Sequence, residues 1–377
     1  KRVAIIEDKH WGGTCLNCGC IPTKMLLGAT APLAMLRAQE RLRTMKGGID
    51  IDYKALQARV GRFIKGSSQA LAKALTAAGI TLYQGYGVIA GKGHIAIRSE
   101  AGEEMLTADD IILSCGSSSA SFPGLAPDGA AVLDSTGILN LPEVPESLII
   151  VGAGAIGLEL GDFFGLMGTK VTIVEAAPHI APTEDNDIAK ELDRTLGKAG
   201  RTCIAGVMAK SLVTKDGQAE LTLGDGRVLT ASKALVAVGR TPNTAGLGCE
   251  KAGCALKRRG FVEVDEHLLA AEGVYAIGDV NGLTLLAHAA DHRRPPDFGA
   301  GAWRVCARPG AVLHLRQHRS HARRTDRQGP ARRRKGRLRV PGPADPESHR
   351  AGRGRFRRLR QGGLGRRRHR GHRRRRA

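Results

Sequence analysis

Along residues 1–291 the apolar positions recur with two different periods, and the switching between them outlines the fold. KRVAIIE (1–7) is an apolar run ending in an acid and predicts a strand. From Ile21 to about Lys46 the apolar residues Met25, Leu26, Leu33, Met35 and Leu36 predict one long helix, with Pro22 where a first turn tolerates it. Residues 54–78, rich in Ala, Leu and Lys, predict a second helix. ITLYQGYGVIAG, HIAIRS and DDIILSCG read as strands joined by glycine turns. Residues 145–178 predict strand, glycine turn, helix and strand. Further strands are expected around 209–230, 233–240 and 273–280. The order is that of an α/β protein.

The pattern stops near residue 291, and so does the charge balance. The chain carries a net charge of +22, but residues 292–377 hold 29 basic and 4 acidic side chains, against 29 and 32 in residues 1–291. The body is therefore slightly acidic and long enough for two domains. The tail, with Lys335 its one lysine, offers no apolar periodicity to bury and is expected to be disordered. Such a tail would meet nucleic acid through phosphates alone; with only Phe298, Trp303 and Phe356 to stack on bases, no specific nucleic-acid partner is expected. No stretch reads as a membrane span and no secretory leader precedes Lys1, so no membrane partner and a cytoplasmic, reducing setting are expected. The chain does not begin with Met, which is compatible with a fragment. Eight cysteines in a chain of 377 residues are no disulfide scaffold; in a reducing setting a cysteine pair is more often catalytic or metal-binding.

The clearest chemistry lies in 148–175. LIIV (148–151) is a buried strand, and Gly152, Gly154 and Gly157 give G-x-G-x-x-G. The first glycine allows a tight turn, the second a close approach of backbone to a pyrophosphate, and the third close packing of helix on strand. The helix N-terminus then offers free N–H groups to phosphate. Glu175 ends the next strand, where an acid accepts from ribose hydroxyls and repels a 2′-phosphate, so NAD is expected over NADP.

GGTCLNCGCIPTK (12–24) brings three cysteines together. Cys15 and Cys20 are five residues apart, roughly 8.7 Å on an ideal helix, whereas a disulfide needs about 4.4–6.8 Å between Cα atoms. If they pair, the backbone must leave helical geometry between them, and Asn17 and Gly19 tolerate a bend. Cys15 with Cys18 is the rival pair; a metal site lacks an evident fourth ligand; three buried thiols are the inert alternative.

The same segment resembles the redox-active disulfide of the flavin-dependent pyridine nucleotide–disulfide oxidoreductases. It is most similar to the dihydrolipoamide dehydrogenase form GGTCLNxGCIPSK. Mercuric and glutathione reductases share the frame but usually carry Val where Leu16 and Ile21 stand. The resemblance runs in order through residues 1–291. It implies two Rossmann-like domains, with 1–142 and 267–291 binding FAD and 143–266, inserted, binding NAD. It implies that Cys15 and Cys20 form the redox disulfide, Cys15 exchanging with a small-molecule dithiol or lipoyl-domain substrate and Cys20 facing the flavin. Lys24 would lie near the flavin, paired with Glu159 as a buried charge needing a partner. For FAD, Glu7 would bind the adenosine ribose; Gly13, Thr14, Gly87, Gly116 and Ser117 would follow the cofactor; Asp279 and Ala287 would hold its ribityl end. Gly239 would lie against NAD. Cys115 stands where the family has Thr.

Two departures qualify the match. The family opens its FAD domain with a strand and a G-x-G-x-x-G turn ahead of a segment like KRVAIIE, and that unit is absent, so the FAD domain is expected to be incomplete. The family's dimer-forming domain, with its His–Glu acid–base pair, should follow LAHAA, and 292–377 contains no such motif. Synonymous codons for residues 314–327, read one nucleotide later, permit IYGSTEVMRVGLTD, and those for 359–376 permit FVKVVWADGVIAGIAAVG, both similar to that domain. The expectation is a frame-shift shortly after Ala290, a lost homodimer surface and impaired turnover. Outside this resemblance to one dehydrogenase stand another disulfide reductase, such as mercuric reductase, and a non-catalytic NAD-binding fragment.

Overall fold

The computed structural model describes residues 2–292 and 311–315. In chain order the elements are β1 (Arg2–Glu7), α1 (Gly13–Cys18), α2 (Cys20–Arg41), α3 (Tyr53–Ala77), β2 (Thr81–Gln84), β3 (Tyr86–Gly91), β4 (His94–Ser99), β5 (Gly102–Leu113) and β6 (Ser117–Ser119). There follow β7 (Val132–Leu133), α4 (Ser135–Leu139), β8 (Ser147–Val151), α5 (Ala155–Leu166), β9 (Lys170–Glu175), α6 (Asn186–Lys198) and β10 (Thr202–Ala205). Next come β11 (Ala209–Lys215), β12 (Gln218–Leu223), β13 (Val228–Ala231), β14 (Lys233–Val236) and β15 (Arg240–Pro242). The last are β16 (Leu269–Ala271), β17 (Val274–Ala276), α7 (Ala287–His292) and β18 (Ala311–Leu315).

Two sheets share one plan. The second runs β10-β9-β8-β14-β7, its neighbours parallel throughout. The first runs β2-β1-β18-β5-β17, extended by β16 and by the antiparallel β3 and β4. In each, the strand ending in an acid lies one place in from the edge: Glu175 closes β9 and Glu7 closes β1. They differ at the centre. β8 is parallel to its neighbours and feeds the glycine turn and α5. β18 is antiparallel to both β1 and β5, with Val312 opposite Ile5 on one side and Ile112 on the other.

Apolar burial follows these sheets. Ile5, Leu71, Leu75, Ile112 and Tyr275 fill one face of the first and Ile6, Ile89, Ile111, Leu113 and Val274 the other. Leu26 of α2 and Tyr53, Leu56 and Val60 of α3 pack with Leu160, Phe163 and Phe164 of α5, so the cysteine-bearing helix is set against the nucleotide helix. The three-stranded meander β11-β12-β13 covers the opposite face of the second sheet through Leu212, Leu221 and Leu223.

Several expectations change. The long helix ends at Arg41 rather than near Lys46, and its start is displaced by a separate short helix, α1. The run 233–240 is strand only to Val236, and 273–280 gives way to a 3-10 turn, Gly278–Asn281. β7 joins the second sheet although it lies within 1–142. Gly13–Arg41 is long and apolar enough, by length and composition, to cross a membrane, contrary to the expectation that no stretch is. Its core face is taken by Leu26, buried with α3 and α5. The tail is not wholly without structure, because Ala311–Leu315 is paired on both sides; the frame-shift and the remainder of 293–377 lie outside the described residues.

A proline in β18 tests this architecture. Val312→Pro removes a ladder N–H from a strand flanked on both sides, which is normally tolerated only at sheet edges. It should destabilise the first sheet by about 1–3 kcal/mol, the cost of an unsatisfied ladder acceptor, measured as a lowered thermal midpoint. An unchanged midpoint would place no structural weight on that pairing.

Candidate functional site

The cysteine segment is built around one break. α1 and α2 are not continuous: between them Gly19 adopts φ −141°, ψ −110°, outside helical geometry. A Cβ there would lie 2.9 Å from the Thr14 carbonyl oxygen, so the turn closes too tightly for any other residue. Asn17 does not bend the chain; it stays helical and its Nδ2 donates to the Gly13 carbonyl at 2.9 Å. Beyond the break, the Thr23 hydroxyl donates to the Gly19 carbonyl at 2.7 Å and holds the first turn of α2.

The break brings Cys15 against Cys20. Both are free thiols, Cys15 half-buried and Cys20 exposed, and the Cys15 thiol donates to the Cys20 sulfur. That hydrogen bond, then the Cys20 backbone N–H and the Lys24 ammonium, lowers the Cys20 thiol to about 6 against the opposing effect of burial, while Cys15, as the donor, is pushed well above the ordinary thiol range. Lys24 forms an ion pair with Glu159 of α5. The pair is not the buried one expected: the two side chains are 58% and 37% exposed. Cys18 instead lines a small cleft with Gln57, Val60 and Leu139. Among the described residues no three metal-ligating side chains gather to hold an ion.

The glycine turn after β8 has the geometry a nucleotide needs. Gly152 has φ +104°, and a Cβ there would meet the Ala237 carbonyl oxygen at 2.4 Å. At Gly157 a Cβ would lie 2.1 Å from the Gly152 carbonyl oxygen. Gly154, the N-cap of α5, faces open space, with no side chain capping the helix. The Glu175 carboxylate accepts from Ala153 N–H at 2.7 Å and Ala177 N–H at 2.8 Å, which fixes it at the rim of the turn. Gly239, at φ +123°, follows β14 on the same side of that sheet.

The first sheet carries a second set. Glu7 is 8% exposed at the end of β1, accepting from Lys9 and His10 N–H at 3.0 and 3.3 Å; burial pushes its carboxyl up to about 7. Gly87 packs on Ile6, whose Cδ1 would be 3.3 Å from a Cβ. Gly13 and Thr14 lie in α1, and Ala287 opens α7, exposed. After β5, the Ser114 hydroxyl is buried with no partner among the described residues, Cys115 is pushed up to about 12 by burial, and Gly116 at φ +69° faces open space. Ser117 is buried and donates to Asp279, and Arg240 reaches both. Arg240 is absent from the sequence-derived set; its signal was a lone cation directly after Gly239 in AVGRTPN. Against FAD, Glu7 and the Ser117–Asp279 pair fit hydroxyl groups, and the orphan Ser114 oxygen and open Gly116 leave polar, uncrowded backbone. For the diphosphate no helix N-terminus stands between β1 and β5 among the described residues, where β18 lies.

Comparison with known proteins agrees with this layout. Residues 1–293 match the family model for pyridine nucleotide-disulphide oxidoreductase. The chain is 36% identical over 293 residues to the dihydrolipoyl dehydrogenase of Mycobacterium tuberculosis, covering 76% of this chain and 63% of that protein. It is 36% identical over 295 residues to that of Chlorobaculum tepidum, covering 77% and 63%. The chain thus spans under two thirds of the length of these relatives. Among solved structures, LpdA of Mycobacterium tuberculosis aligns with a TM-score of 0.71 at 29% identity, covering 81% of this chain and 66% of that one. A Cu(II) complex of the HOCl-induced flavoprotein disulfide reductase RclA from Escherichia coli aligns at 0.68 and 29%, covering 76% and 62%.

Two measurements test the site. In the reduced protein, alkylation of Cys20 should follow a thiolate with a midpoint near pH 6 while Cys15 stays unreactive through pH 8; Cys15→Ala, which removes the donor, should raise the Cys20 midpoint. Equal reactivity of the two thiols would remove the hydrogen-bond assignment. For Glu7, the folded carboxyl titrates at about 7 against 4.5 for the free group, so the unfolded state loses its proton first and stability falls as pH rises between those values. Glu7→Gln should therefore gain stability relative to the parent by roughly 3 kcal/mol between pH 4.5 and 7, at ~1.4 kcal/mol per pH unit, and level off above. A difference independent of pH would refute it.

Proposed function

The chain belongs to the pyridine nucleotide-disulphide oxidoreductase family, and from that membership we propose that it exchanges electrons between a small dithiol and NAD, with dihydrolipoamide + NAD⁺ giving lipoamide + NADH + H⁺. The observation that carries the proposal is the Cys15–Cys20 contact across the Gly19 break, with Lys24–Glu159 beside it.

The unequal thiols give the exchange a direction. In the disulfide form, a substrate thiolate attacks the Cys15 sulfur, and the S–S electron pair leaves on Cys20, the better leaving group because its thiol is the more acidic. The second substrate thiolate then attacks the substrate's own sulfur in the mixed disulfide. The cyclic substrate disulfide departs, and Cys15 takes up a proton and donates it as a hydrogen bond to Cys20. Lys24, four residues along the same helix, holds the thiolate's charge. The family's flavin, when bound, supplies the two-electron relay between dithiol and nicotinamide. Glu7, Gly13, Thr14, Gly87, Gly116, Ser117, Asp279 and Ala287 are the residues proposed to hold it, with Lys24 near its redox end. The G-x-G-x-x-G turn, Glu175 and Gly239 would hold NAD, with Glu175 offering its remaining lone pairs to ribose hydroxyls.

The direct test is NADH formation from dihydrolipoamide by the 377-residue chain, with Cys15→Ser and Cys20→Ser as controls. Turnover is expected to be slow in this chain, so the deciding readout is loss of the Cys15 and Cys20 thiols on adding lipoamide; thiols that stay free in the parent, or NADH formation retained in either variant, would reject the reaction. For the nucleotide, NADH should bind roughly tenfold more tightly than NADPH, and Glu175→Arg should reverse the order. Equal titration by both nucleotides would defeat the assignment of Glu175.

A further inference from the structure

Asp279 is held by a network that no role so far explains. It lies in the 3-10 turn after β17, with its side chain 24% exposed. Ser117, 4% exposed, donates its hydroxyl to Asp279 Oδ2 at 2.5 Å. Arg240, 15% exposed, donates Nε to that same hydroxyl at 2.6 Å and Nη2 to the Ser117 carbonyl at 2.5 Å. Its Nε also lies 3.5 Å from Asp279 Oδ2. Hydrogens therefore run one way: guanidinium to hydroxyl, hydroxyl to carboxylate. Oδ2 is committed, and among the described residues no donor reaches Oδ1.

Three further facts make this a built arrangement. Arg240 and Ser117 stand on β15 and β6, a two-strand ladder in which Arg240 pairs with Ser119 and Pro242 with Ser117. Asn243, just beyond, donates Nδ2 to the Cys115 carbonyl at 2.8 Å and accepts from the Ser118 hydroxyl at 2.7 Å, pinning the Pro242–Ser117 end of the ladder. Gly239, immediately before Arg240, accepts from Ala120 N–H at 2.9 Å. The guanidinium is thus fixed at the point where the chain leaves the second sheet for the first. A mostly buried carboxylate with a buried cation on one oxygen and a free second oxygen is set to accept from a neutral hydroxyl.

We propose that Arg240 is a positioning residue for a ligand polyol: acting through Ser117, it fixes the Asp279 carboxylate so that Oδ1 accepts a hydroxyl of the flavin's ribityl chain. This rests on the proposal that the first sheet binds flavin, and the experiment separates the two. Riboflavin and lumiflavin carry the same isoalloxazine ring, but only riboflavin has the polyhydroxyl chain. Binding of each to the full 377-residue chain is followed by quenching of flavin fluorescence. In Arg240→Met, riboflavin affinity should fall roughly tenfold, the size expected when a charged hydrogen-bond network is loosened, while lumiflavin affinity is unchanged. Asp279→Asn should give a similar selective loss, and combining it with Arg240→Met should add little more. Arg240→Lys, which keeps the charge but not the fork, should recover part of the loss. Ser117→Ala breaks the relay without removing the cation, and carries the test if Arg240→Met does not fold; it too should weaken riboflavin alone. Equal loss for both flavins would make Arg240 merely structural and overturn the proposal, as would unchanged riboflavin binding in Arg240→Met or Ser117→Ala. Failure of the parent chain to bind either flavin would reject the flavin site itself, and the proposal with it.

Discussion

Everything chemical in this chain depends on a helix that must not be continuous. A helix through residues 13–41 would hold Cys15 and Cys20 roughly 8.7 Å apart on different faces. The break at Gly19 swings α1 back over the first turn of α2, and the approach of the Thr14 carbonyl leaves no room for a Cβ. Once Cys20 opens α2, the rest of the helix is set by spacing alone. Thr23 ties the turn to Gly19, Lys24 falls one turn beyond Cys20, and Leu26 carries the opposite face into the core with α3 and α5. Packing of Leu26 against α3 and α5 fixes where Lys24 meets Glu159. A single conformational requirement thus sets the thiol contact, the cation beside it and the distance to the nucleotide helix.

The two sheets show what the same plan yields when its central strand differs. In the second, β8 runs with its neighbours and releases the chain at the edge where Glu175 stands, so glycine turn, helix N-terminus and acid converge. Two backbone N–H groups meet Glu175 there. In the first, β18 runs against β1 and β5. Glu7 has comparable backbone donors, yet burial outweighs them and raises its carboxyl to about 7. A neutral or half-protonated acid at a nucleotide edge awaits hydroxyl donors, since each hydrogen bond to the charged form would draw its proton off.

The parts legible in the sequence were those with a local cause. Glycine spacing after an apolar strand gave the turn at 152–157, because each glycine answers a separate steric demand met within the segment. The need for a bend between Cys15 and Cys20 was readable from helix geometry. Its position was not, since Asn17 and Gly19 both tolerate one and only the approach of Thr14 decides between them. α6 went unforeseen although its signal was local: Ile188, Leu192 and Leu196 recur at helical spacing in Asn186–Lys198, and Leu192 and Leu196 face the core. Arg240 and β18 were invisible for the same reason as each other. Their partners, Ser117 and Asp279 for one and β1 and β5 for the other, are far away in sequence, and no local period records such a contact.

The Lys24–Glu159 pair is best understood through the balance it imposes on Cys20. A thiol lowered to about 6 stabilises the reduced dithiol, because one product of opening the disulfide is already an anion in a favourable site. That favours taking electrons from a substrate dithiol and, to the same extent, opposes passing them on. Lys24 alone would deepen this bias. Glu159 acts on Cys20 in the opposite sense, raising the thiol that Lys24 lowers. With both side chains partly exposed, water weakens each effect further. The pair thus leaves the Cys15 hydrogen bond as the main stabiliser of the thiolate, and that bond disappears when the disulfide reforms. That bond exists only in the dithiol, so it is the part of the bias that reoxidation must give up, whereas the opposed charges of Lys24 and Glu159 add little to it.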